Sequence, residues 1–79
     1  MLAEIETNLR GITEKQTKTG KLYIYTCENQ KRNGTPYMFD VLSRKNNRKV
    51  GTQKIKVVIT NRRDKAGVVL AGFSIWEAD

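Results

Sequence analysis

The sequence contains no histidine, a single cysteine and a single proline. Histidine is the commonest general base and the commonest metal ligand in proteins, so its absence argues against most hydrolytic and metal-dependent chemistry. Cys27 alone cannot form an intramolecular disulfide, and it cannot build a zinc site without histidine. Phosphate-binding glycine loops and nucleophile–base motifs are also missing. We therefore expect a protein that is not an enzyme and uses neither cofactor nor metal.

Long hydrophobic runs are missing as well. The longest mostly apolar stretch, residues 66–76, has 11 residues and is too short to span a bilayer. Residues 1–6 have neither the basic region nor the apolar run of a signal peptide. The length of 79 residues predicts one domain, 1–79, with a thin core. The expected location is the cytoplasm.

The charge is strongly uneven along the chain. The net charge is +7, but residues 15–76 hold 14 of the 15 Lys and Arg residues against three acids, a net of +11. The two ends of the chain are weakly acidic. A basic body of this kind suits a polyanionic partner, although ordinary soluble surfaces also reach such charges.

Short segments rich in β-branched and aromatic residues, separated by polar turns, indicate an all-β protein. Gly20 and Asn33-Gly34 mark two of the turns. The segment 5–12 fits helical spacing almost as well as a strand, and we favour a strand. The five predicted strands are 5–12, 22–28, 35–43, 54–60 and 68–76. We expect a small five-stranded antiparallel barrel, OB-like in the first instance and SH3-like as the alternative.

The cations are concentrated in the turns, where loops on a rigid barrel can present them to phosphates. Tyr23, Tyr25 and Tyr37 lie in or beside these turns, and exposed rings of this kind can stack on bases. The predicted nucleic-acid-binding residues are Lys18, Lys21, Tyr23, Tyr25, Lys31, Arg32, Tyr37, Arg44, Lys45, Arg48, Lys49, Lys54, Lys56, Arg62 and Arg63.

The remaining aromatic side chains are expected to serve the fold. Phe39 and Phe73 are predicted in the core, and Trp76 in the core or at a dimer contact. Cys27 is expected to be a buried, inert thiol, and Asp40 to pair with a neighbouring cation. The last strand has apolar residues on both faces, more than one small barrel can bury, so we expect a homodimer formed through it or through Met38 and Leu42.

The segment Thr17-Lys18-Thr19-Gly20-Lys21-Leu22-Tyr23 resembles the filamentous-phage single-stranded-DNA-binding (helix-destabilising) proteins, which are similarly short and all-β. The resemblance covers about residues 5–30. Leu22 stands where that pattern has proline, and the C-terminal half has no counterpart. The resemblance implies an OB-like dimer that coats single strands cooperatively, with Tyr23 stacking on bases and Lys18 and Lys21 contacting phosphates.

Three functions are compatible with these features. The first is sequence-tolerant binding of single-stranded DNA or RNA through basic loops and stacking tyrosines. The second is a small phage or mobile-element inhibitor or adaptor that binds a host protein through its basic face. The third is a histidine-free ribonuclease relying on Tyr, Lys and Arg, for which no acid–base pair stands out. We favour the first.

Overall fold

The computed structural model describes residues 1–78, and they form five β-strands. The strands are β1 (Leu2–Thr17), β2 (Gly20–Gln30), β3 (Pro36–Ser43), β4 (Gly51–Arg63) and β5 (Val69–Glu77). The all-β prediction is confirmed, and residues 5–12 lie in a strand, inside a β1 longer than expected. The described chain contains no helix long and apolar enough to cross a membrane.

The strands close into one barrel in the order β1-β2-β3-β5-β4. The long strand β1 makes this closure possible because it serves two neighbours. Its first half pairs with β4 and its second half with β2, and the register shifts between Leu9 and Gly11 where the strand turns from one to the other. The result is a small closed barrel, consistent with the OB-like or SH3-like architecture.

The barrel is mixed and not wholly antiparallel, because β3 and β5 run parallel where they meet. In the described residues they are joined through a single pair, Leu42 and Trp76, near their C-terminal ends. The other neighbouring strands pair antiparallel. The seam between β3 and β5 is therefore the least tightly closed part of the wall.

The core is small and comes from β1 to β4. Alternate side chains point inward in two of these strands: Tyr25 and Cys27 in β2, and Ile55 and Val57 in β4. Strand β5 contributes only the partly buried Ile75. The six fully buried apolar residues are Leu9, Tyr25, Cys27, Val41, Ile55 and Val57.

The distal part of the β4–β5 hairpin projects from the barrel. Every residue from 60 to 73 is exposed, and we call this segment the hairpin arm. The prediction that Phe73 belongs to the core is therefore wrong: its side chain is 62% exposed. The arm lies beyond the point where β5 meets β3, so β5 there has β4 as its only strand neighbour among the described residues.

The pairing of β4 with β5 is irregular in the hairpin arm. Asn61 pairs with Phe73, but Arg63 pairs with Val69. A step of two residues along β4 is therefore matched by a step of four residues along β5. Gly72 lies in this bulge with a φ of 89°, a left-handed conformation that favours glycine. The Arg62 Cδ lies 3.5 Å from the position that a β-carbon on Gly72 would occupy, so Arg62 extends alongside the bulge.

Candidate nucleic-acid interface

The topology sorts the turns between the two ends of the barrel. Strands β3 and β5 are parallel, so the turns that precede them, 31–35 and 64–68, lie at the same end. We call this end the mouth. The β1–β2 turn and the β3–β4 loop (44–50) lie at the opposite end, because β2 and β4 both begin there.

Five cations lie at the mouth. Local hydrogen bonds hold both of its turns: the Gly34 N–H donates to the Lys31 carbonyl over 2.9 Å, and Asp64 Oδ1 accepts from the Ala66 and Val68 N–H groups, both over 2.9 Å. The carboxylate of Asp64 is therefore engaged in hydrogen bonds that stabilise the turn 64–68. The five mouth cations are Lys31, Arg32, Arg62, Arg63 and Lys65.

Aromatic side chains line the mouth between the two turns. Tyr37, 40% exposed, and Phe39 on β3 have ring centroids 5.9 Å apart, and the exposed Phe73 faces them from β5. The three rings line a cleft of about 270 Å³ with the apolar side chains of Ile5, Val57, Ile59 and Ile75. Phe39 is half-buried and packs partly against the core, as predicted, whereas Tyr37 and Phe73 are exposed. Rings accessible beside cations are what a single strand with bases and phosphates requires.

A second cleft, of about 320 Å³, follows the loosely closed seam between β3 and β5. Phe39 and Phe73 border it as well, so the two clefts share a wall. Its polar lining consists of Asp40, Arg62 and Ser74. The predicted pairing of Asp40 with a cation is wrong: its carboxylate makes no ion pair within residues 1–78 and is exposed to solvent.

Two predicted phosphate-binding arginines at the opposite end are tied into the fold. Arg44 lies over the Trp76 ring, with its Cζ 5.7 Å from the centroid, and donates to Thr17 Oγ1 over 3.1 Å. Arg48 donates from Nε to Glu77 over 2.6 Å, and that carboxylate also accepts from Ser43 Oγ over 2.8 Å. The side chain of Glu77 is only 6% exposed, so these partners replace the water that its carboxylate loses on folding.

We predict that Arg48→Ala lowers the free energy of unfolding by about 2 kcal/mol, because it leaves the Glu77 carboxylate nearly buried without its cation. Thermal denaturation followed by circular dichroism measures this. The neighbouring Lys49→Ala, an exposed loop residue, is the control and should change stability by less than about 0.5 kcal/mol. Equal melting temperatures for the two variants would contradict a structural role for Arg48.

Other predicted cations are balanced by acids on adjacent strands. In the β1–β4 register, Lys54 lies opposite Glu6, and Lys56 lies opposite Glu4. These pairs lie on the outer face, where cross-strand opposite charges stabilise a sheet modestly. Lys21 forms a 3.0 Å ion pair with Glu14, whose hydrogen bond and charge raise the pKa of the lysine. The acidic N-terminal segment therefore neutralises part of the basic body.

Tyr25 cannot stack on a base, and its assignment as a binding residue is wrong. Its side chain is fully buried, and its hydroxyl donates to the Lys45 carbonyl. Tyr23 is half-buried and packs against the same core, which restricts its ring. The expected buried thiol of Cys27 is confirmed, and burial raises its pKa, which keeps it in the unreactive protonated form.

The remaining predicted cations lie away from the mouth. Lys18 lies in the β1–β2 turn, and Lys45 and Lys49 lie in the β3–β4 loop, all at the end opposite the mouth. The predicted set thus forms no single face: the structure places Lys31, Arg32, Arg62 and Arg63 at the same end of the barrel as Tyr37. Lys65, Phe39 and Phe73 complete this group, and the sequence had not marked them as binding residues.

One signal in the sequence could have identified Phe73. Ala71-Gly72 interrupts the most apolar strand directly before it, and an isolated glycine in a strand often marks a bulge.

Residues 1–78 contain no group of three or more His, Cys, Asp or Glu side chains placed to hold a metal ion. The chain matches no protein-family model, no curated protein and no solved structure.

Proposed function

We propose that this protein is a non-catalytic, sequence-tolerant binder of single-stranded nucleic acid, with DNA favoured and RNA possible, and that the mouth is its binding face. Bases would stack on Tyr37, Phe39 and Phe73, and the five mouth cations would neutralise the phosphates on either side. The observation that carries the proposal is the juxtaposition of three aromatic rings with five cations that lie in or beside two turns at one end of the barrel.

The form of the mouth favours a single strand over a duplex. The rings line a concave cleft of about 270 Å³, which unstacked bases can enter. In a duplex the bases are paired and stacked, and only their edges are accessible in the grooves. Cations on flexible side chains in the two flanking turns add attraction that is independent of base sequence.

A salt titration with a labelled single-stranded oligonucleotide tests the proposal. Log affinity should fall linearly with log salt, with a slope of roughly −0.7 for each phosphate neutralised. Replacing Lys31, Arg32, Arg62 and Lys65 with alanine should weaken binding to every sequence and flatten the slope by up to about 3 if each contacts one phosphate.

A matched control removes the same formal charge away from the mouth. It replaces four exposed lysines: Lys15, Lys18, Lys49 and Lys54. This control should keep most of the slope, because distant charges contribute only a screened field. Affinity that ignores salt, or equal losses in both variants, would contradict the mouth as the phosphate-binding face. Absence of oligonucleotide binding would instead favour the inhibitor or adaptor function.

We also predict that the protein forms a homodimer through the hairpin arm. Val68, Val69 and Leu70 are 58%, 51% and 42% exposed, and a second copy that covered them would remove apolar surface from water. Sedimentation at high micromolar concentration should give a dimer, and Val69→Asp with Leu70→Asp should give a monomer. A strictly monomeric parent protein would rule out this assembly.

A further inference from the structure

The seam cleft contains a carboxylate in a place where the proposed function would not require one. Asp40 lies on β3 between Phe39 and Val41, and it lines this cleft together with Arg62 and Phe73. A carboxylate repels phosphates, and here it has no cationic partner within residues 1–78. An acceptor-only group beside two aromatic rings is instead suited to hydrogen-bond donors on a base.

The geometry points to a nucleobase subsite in the seam cleft, selective for guanine, in which Asp40 reads the base. We propose this on the basis of the single-strand binding proposed above, as a refinement of it. The base would lie against Phe39 and Phe73, and Arg62 would contact the adjacent phosphate. The cleft volume of about 320 Å³ is ample for one base and its sugar.

Guanine follows from the pattern of donors and acceptors on the base edges. Its Watson–Crick edge presents N1–H and the N2 amino group side by side, and these two donors match the two oxygens of one carboxylate. Adenine and cytosine each offer one amino group next to an acceptor nitrogen. Thymine and uracil offer a single N–H between two carbonyl oxygens, which the carboxylate repels.

The test compares short oligothymidines that carry one central guanine, adenine, cytosine or inosine, measured by fluorescence anisotropy at one salt concentration. The parent protein should bind the guanine oligomer roughly tenfold or more tightly than unmodified oligothymidine. Inosine lacks the N2 amino group and should lose most of this preference. Asp40→Asn should abolish it, since the amide presents a donor where the second acceptor was.

Glu4→Gln is the matched control, because it removes the same charge from an exposed residue on β1 and should retain the guanine preference. Melting curves confirm that both variants are folded. Salt-dependent binding without base preference, or a guanine preference that survives in Asp40→Asn, would overturn the subsite and leave the proposed function standing. If no oligonucleotide binds, the proposed function fails and the subsite fails with it.

Discussion

Replacing Tyr25 with alanine is expected to lower the free energy of unfolding by about 3–5 kcal/mol. The ring is the largest fully buried side chain of the barrel, and its removal would leave a cavity between β2 and the facing strands. A domain of this size has about 4–12 kcal/mol of stability in total. The variant should therefore melt far below the parent protein or fail to fold, as measured by thermal denaturation.

Two further substitutions separate packing from binding. Tyr25→Phe keeps the ring and loses only the hydroxyl that donates to the Lys45 carbonyl, so it should cost about 1–3 kcal/mol. Tyr37→Ala removes a partly exposed ring that pairs with Phe39 and should cost about 0.5–1.5 kcal/mol, well below the cost of Tyr25→Ala. If Tyr25→Ala melts within a few degrees of the parent, the ring is not a core residue and the placement of β2 is incorrect.

Removing both Tyr37 and Phe73 should produce the largest loss of affinity without loss of fold. Each ring that stacks on a base contributes about 1–3 kcal/mol, so the double alanine variant should bind a single strand at least about thirtyfold more weakly. The salt slope should stay nearly unchanged, because neither side chain contacts a phosphate. Fluorescence anisotropy at several salt concentrations measures both quantities.

A conservative pair of substitutions provides the control for these rings. Tyr37→Phe with Phe73→Tyr keeps two aromatic faces in the mouth and should retain most of the affinity. Melting temperatures on the same preparations show whether any loss reflects unfolding. Parental affinity in the double alanine variant would mean that bases do not stack in the mouth.

The local features of the fold could be predicted from the sequence. The alternation in β4 places Ile55 and Val57 inside and Lys54 and Lys56 outside, and Asn33-Gly34 marks the turn that the structure has there. These properties depend on neighbours two residues apart and on backbone freedom at glycine. These local properties do not depend on how the barrel closes.

The assembled site could not be predicted in the same way, because it depends on contacts between distant segments. The pairing of Arg48 with Glu77 joins residues 29 positions apart. The acids facing Lys54 and Lys56 follow from the β1–β4 register. Tyr25 and Tyr37 have similar sequence surroundings, because each lies in a strand with other aromatic residues and near a basic turn. Only the closure of the barrel places one inside and the other at the mouth.

The most direct test of the mouth as a binding face is an NMR titration of the isotope-labelled protein with a short single-stranded oligonucleotide. The largest amide and aromatic shifts should occur at Tyr37, Phe39, Arg62 and Phe73, with smaller ones in the turn 31–35. Shifts confined to the β3–β4 loop or to the outer face of β1 and β4, or no shifts at all, would contradict the proposal.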